Sequence, residues 1–144
     1  MNKITKVIMA AAVLSVAAYA NAAHKSYNSG DKAFSIDIPS GWTEKAVEGG
    51  VQLISPDSKT SLAIVVADSG GLDSKTLADS IAKEANYENP QIECEDVYCN
   101  IYGTINGVKV GTTVSADAES KLFMTITQAG EDADSLKKII DSIE

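Results

Sequence analysis

The chain has 144 residues, 44% of them hydrophobic, and sets 20 acidic residues against 12 lysines, with no arginine and one histidine, for a formal charge of −8. That length suits one domain with a sizeable core. The charge repels nucleic-acid phosphates and anionic lipid, setting both aside as partners, and the missing arginine and single histidine narrow the choice of catalytic side chains.

Residues 1–22 read MNKITKVIMAAAVLSVAAYANA, with Lys3 and Lys6 ahead of an apolar run over 7–18 and then small residues. This is the pattern of a secretory signal peptide, and Ala20-Asn21-Ala22 supplies an A-x-A cleavage site. The run is too short for the roughly 20 residues a spanning helix needs, and no later segment approaches that length. No cysteine lies near the cleavage site, so a lipid-modified terminus is not expected. Cleavage would leave a single domain over 23–144, periplasmic or secreted, with no membrane insertion. Losing the two leader lysines takes its formal charge from −8 to −10.

Residues 23–33 read as a loose polar lead-in. Phe34, Ile36 and Ile38 then alternate with Ser35 and Asp37, which predicts a first strand with one buried face. Pro39 stops it, Gly41 allows a sharp turn, and Trp42 lands beside the strand, where it can cap the open end of a core. Gly49-Gly50 marks a turn before a strand over 51–55. Pro56-Asp57 leads into SLAIVVA, residues 61–67, apolar almost throughout and so expected to be a central strand covered on both faces. After a loop over 68–72, Asp73 is a good N-cap for a helix reaching about residue 85, with Leu77, Ala78, Ile81, Ala82 and Ala85 along it.

Residues 91–128 read as an antiparallel meander. Asn106-Gly107 between apolar strands is a strong hairpin signal, and a two-residue type I′ turn fixes the register. Ile105 should face Val108, Gly103 Val110, Ile101 Thr112 and Cys99 Val114, while Tyr102 falls opposite Gly111 on the other side, an aromatic ring over a strand glycine. Leu122, Met124 and Ile126 run in phase on the next strand. A closing helix starts near Asp132, with Leu136, Ile139, Ile140 and Ile143 as its apolar stripe. The expected fold class is α+β, a six- to seven-stranded antiparallel sheet with two helices packed on it.

Cys94 and Cys99 form an even pair in a chain expected to enter an oxidising compartment, which predicts a disulfide. The spacing is wrong for a C-x-x-C redox motif, and two thiolates are too few for structural zinc. A ring this small removes little chain entropy, so its expected role is to pin a hairpin.

The run F-S-I-D-I-P-S-G-W, a glycine turn, a strand, an S-P-D turn and a further apolar strand resemble the opening of PsbP-like domains. That superfamily takes in the photosystem II extrinsic subunit, DcrB-like bacterial envelope proteins and a Ran-binding import factor. The likeness is best over residues 34–66 and continues as element order through the terminal helix. It implies an antiparallel sheet between helices and members that bind proteins; it implies no activity.

Asp68-Ser69-Gly70-Gly71 is similar to a chymotrypsin-like nucleophile segment, but a serine nucleophile needs a histidine base, and His24 sits almost at the expected mature N-terminus. As a terminal residue His24 could chelate copper, yet a histidine brace needs a second histidine, so a surface histidine is expected. Acidic residues bunch around Glu88, Glu93, Glu95 and Asp96, and again over 117–134. Oxygen ligands suit calcium, but no D-x-D-x-D-G loop is present, and turns and helix caps account for most of these carboxylates. Phosphate-cradling glycine loops are absent. No catalytic, cofactor or metal residue is therefore assigned. Two function classes remain: a non-catalytic periplasmic binding or assembly module working through protein contacts, or a small hydrolase or metal-dependent enzyme with a carboxylate site. For the first, the candidate partner surface is Trp42, Tyr98, Glu95 and Asp96.

Overall fold

The computed structural model describes residues 22–144 and the backbone of a short strand over 16–18; the rest of the expected leader, with Ala20-Asn21 of its cleavage site, lies outside the described residues. In chain order the elements are β1 (Val16–Ala18), β2 (Ala23–Tyr27), β3 (Phe34–Ile38), β4 (Thr43–Val47), β5 (Gly50–Ile54), β6 (Ser61–Asp68), α1 (Ser74–Glu84), β7 (Glu88–Cys94), β8 (Tyr98–Ile105), β9 (Val108–Asp117), β10 (Leu122–Ala129) and α2 (Ala133–Asp141). The fold is α+β. Its main sheet runs β1-β4-β5-β6-β10-β9-β8-β7 with every neighbouring pair antiparallel, and β2-β3 forms a separate two-stranded sheet.

The hairpin between β8 and β9 closes through Asn106 and Gly107, both at positive φ (52° and 80°), as a type I′ turn requires. The cross-strand pairs are Ile105 with Val108, Gly103 with Val110, Ile101 with Thr112 and Cys99 with Val114, the register read from the sequence. Both helices begin where expected. The Asp73 carboxylate accepts the Thr76 N–H at 2.8 Å and that of Asp132 accepts the Ser135 N–H at 3.1 Å, each satisfying a backbone donor that a helix start leaves open.

Two cores result, on opposite faces of one sheet. Under α1, Leu77, Ala78, Ile81, Ala82 and Ala85 pack with Tyr87, Cys99, Ile101, Val114 and Phe123. On the other face, Leu136 and Ile139 of α2 and Phe34, Ile36, Ile38 and Trp42 close over Val51, Leu53, Leu62, Ile64 and Val66. Each fully buried side chain of this size contributes roughly 1.5–3 kcal/mol by leaving water. The central strand β6 is buried on both faces from Leu62 to Val66, which explains its unbroken apolar run.

Three expectations need correction. Residues 23–33 are not a loose lead-in. Residues 23–27 form β2, with His24 opposite Asp37 and Tyr27 stacked on Phe34 at 5.4 Å between ring centres. The strand beginning at Phe34 is not the first of the main sheet; β3 pairs with β2, and its other edge takes the chain end, with reciprocal backbone bonds between Ser35 and Glu144 at 3.0 and 3.1 Å. Thr43–Val47, given no element from sequence, is β4, hydrogen-bonded to β5 through the tight turn at Gly49-Gly50. The Glu44 carboxylate accepts from both Lys25 Nζ and the Tyr27 hydroxyl, tying the small sheet to the large one.

Candidate functional site

At one end of the sheet three loops meet: the β6–α1 loop, the β7–β8 turn and the β9–β10 turn. The Ser74 hydroxyl, at the start of α1, donates to the Val97 carbonyl at 2.9 Å and accepts the Ala116 N–H at 3.1 Å. Ser69 N–H donates to the Lys121 carbonyl at 2.9 Å. These bonds hold the loops in one arrangement. The disulfide joins Cys94 and Cys99, which are cross-strand partners, and the enclosed turn is closed by Glu95 N–H donating to the Tyr98 carbonyl at 2.8 Å. The bridge therefore pins the first hairpin of the meander.

Large apolar side chains stand in water at this end: Leu72 is 39% exposed, Val97 63% and Tyr98 36%. Around them lie Asp73, Glu95, Asp96, Asp117 and Glu119, with Asp68 paired to Lys32 at 3.0 Å. Some of these carboxylates also do structural work. The Ser120 side chain and the Ser120 and Glu119 N–H groups hold the Asp117 carboxyl below its ordinary range, and the Thr76 N–H does the same for Asp73.

Of the residues singled out from sequence, Glu95, Asp96 and Tyr98 share this end. Trp42 does not join them. It is 2% exposed in the core under β3, at the β4 side of the sheet, with β5, β6, β10 and β9 between β4 and β8. Its backbone N–H donates to the Pro39 carbonyl at 3.2 Å, closing a turn, and the ring lies buried in the core and offers no surface. Leu72 and Val97 were missed; the signal for them was apolar residues set among turn-forming and charged ones.

Ser69 is buried, and its hydroxyl accepts the Gly71 N–H at 3.1 Å within a turn that carries Gly70 and Gly71 at positive φ. His24 is exposed on β2 and bonded to Asp37 at 2.6 Å. The two form no nucleophile-base pair. Among the described residues no three of His, Cys, Asp and Glu converge as metal ligands, and no helix is long and apolar enough to cross a membrane.

A groove of about 700 Å3 lies elsewhere, between α2 and the sheet face carrying Gln91, Tyr102, Gly111 and Gln128. Its lining contains no aspartate or glutamate. No protein-family model matches the chain, and no curated protein matches it.

Proposed function

We propose that this protein is an exported, non-catalytic binding module that holds a protein partner at its acidic, disulfide-tipped end. The observation that carries the reading is the exposure of Leu72, Val97 and Tyr98 on loops locked together by the Ser74 hydroxyl and ringed by carboxylates. Rigid apolar anchors inside a charged rim are how interfaces combine affinity with steering, and the sign of this rim selects a partner with a basic surface. Export is supported by the amino-terminal leader pattern and by the joined cysteines. The resemblance to PsbP-like domains supports kinship of fold and a binding role, without bearing on activity. Against the hydrolase alternative, the lining of the large groove holds no aspartate or glutamate, and Asp57, Asp73 and Asp117 are each held below the ordinary carboxylate range, opposite to a general acid.

A photo-reactive residue at Val97 tests this in intact cells. It should give a discrete cross-linked protein that the same probe on the outer face of α1, at Lys75, does not give. The adduct should vanish when Glu95 and Asp96 are changed to Lys. An adduct indifferent to that charge reversal, or none at Val97, removes the proposal.

A further inference from the structure

The groove beside α2 has three features that belong together. Its wall is apolar: Leu136 and Ile140 come from α2, and Tyr102 lies on the floor with 48% of its surface open to water. Its volume, about 700 Å3, is that of a small-molecule site.

The floor is kept low by a glycine that the backbone does not require. Gly111 is in mid-strand with no positive φ, and the nearest atoms to a Cβ there would be a Tyr102 ring carbon at 3.8 Å, Gln128 Cγ at 3.9 Å and the Ile101 carbonyl oxygen at 3.9 Å, all ordinary contacts. The neighbouring strand glycine differs: a Cβ on Gly103 would lie 2.9 Å from the Tyr87 ring, so packing demands it. Glycine inside a strand costs about 0.5–1 kcal/mol relative to alanine, and it marks places where another group comes close to the backbone. At Gly111 a Cβ would fit in ordinary contact with Tyr102 and Gln128, so no clash requires the glycine, and what it provides is depth.

The third feature is charge. In a chain with 20 acidic residues and 12 lysines, the lining holds Lys109 and Lys137 and no carboxylate. Lys109 has no ion-pair partner among the described residues, while Lys137 pairs with Asp141 one turn along α2. Gln91, Thr104 and Gln128 add neutral hydrogen-bonding groups whose side chains have no protein partner among the described residues.

We infer that this groove binds a single-chain amphiphile with an anionic head, an aliphatic carboxylate whose tail lies over Gly111 between Tyr102 and the Leu136-Ile140 stripe and whose head faces Lys109 and Lys137. Two lysines on flexible stems supply point charges for a carboxylate head, and with no arginine in the chain the groove lacks the bidentate guanidinium fork that would favour a phosphate ester over it. The site is separate from the acidic end and does not depend on the partner proposed there.

The test is calorimetric titration of the purified protein with dodecanoate below its micelle concentration, with amide shifts recorded by NMR. Saturable one-to-one binding is expected, with shifts at Tyr102, Gly111 and Ile140, and with dodecan-1-ol and dodecylamine at least about tenfold weaker. Gly111→Leu should abolish binding without lowering the melting temperature. Lys109→Gln with Lys137→Gln should weaken dodecanoate about tenfold and leave dodecan-1-ol unchanged. Equal affinity for the amine, undiminished binding by Gly111→Leu, or no saturable binding would overturn the inference. So would sedimentation with phosphatidylglycerol vesicles in the absence of monomer binding, or a dimer dispersed by Gly111→Leu, which would give the groove to a membrane surface or to a second copy.

Discussion

The two halves of the main sheet bury opposite faces. In the β4-β5-β6 half the covered face carries Val51, Leu53, Leu62 and Ile64 and lies beneath β3 and α2; in the β7-β8-β9 half it carries Cys99, Ile101 and Val114 and lies beneath α1. The strands where the change occurs, β6 and β10, carry apolar residues on both sides, Phe123 facing one core and Met124 and Ile126 the other. A single antiparallel sheet thus serves two cores, and the half covered only by α1 leaves a second face free for the groove.

The sharpest way to break the first half is at Gly50. A Cβ there would lie 1.8 Å from the Ile64 carbonyl oxygen, so Gly50→Ala should cost at least about 3 kcal/mol, measured by urea unfolding. Truncation then tests whether the cores are independent. Ile64→Ala and Leu77→Ala, each at a fully buried site, should each cost about 2–5 kcal/mol. The double variant should add to within about 0.5 kcal/mol. A larger deviation would mean that the sheet transmits strain between its faces. Cys94→Ser should cost roughly 2 kcal/mol and raise hydrogen exchange in β7 and β8 while β4 to β6 stay protected. A variant with no folded population at room temperature would show that the bridge supports both halves. Removing the α1 cap with Asp73→Ala should cost about 1 kcal/mol and leave the α2 core unaffected.

The pH dependence has two flanks. Asp57, held down chiefly by the Ser55 hydroxyl, and Asp73 and Asp117, held down by their turn and cap donors, have folded pKa values below the ordinary 3.8. Their contribution is complete above the unfolded value and is lost as pH falls through the folded ones, so stability should drop at acid pH below about 4. Tyr87 behaves oppositely. Burial raises its phenol above 10.0, an effect the Thr112 hydroxyl bond partly offsets, so its neutral form favours folding and stability should decline above about pH 10. Melting temperatures across both ranges check the signs.

Much of this arrangement was legible in the sequence, because the signals were local. Asn106-Gly107 set a whole hairpin register, Asp73 and Asp132 marked both helix starts, and the unbroken run in β6 announced burial on two sides. What was missed depends on distant partners. β3 alternates like any half-buried strand, and nothing within it says that its neighbour is Glu144 rather than the main sheet. β2 uses Lys25 and Tyr27 as its inward residues, and both read as polar until Glu44 is placed beside them. Trp42 was assigned both to the core and to a binding rim, and only its burial in the folded chain decides between them. The groove forms where α2 passes the meander, two segments that share no local signal beyond Tyr102 and its opposing glycine.

The disulfide is asymmetric: Cys94 faces solvent, whereas Cys99 is 1% exposed under α1. A reducing thiolate can strike only the outer sulfur, so the sulfur expelled is the inner one, released as an anion into hydrocarbon, where its basicity rises and it departs slowly. Reduction by dithiothreitol should then be slow yet stay first-order in reagent even at high excess, because attack on the outer sulfur needs no opening of α1.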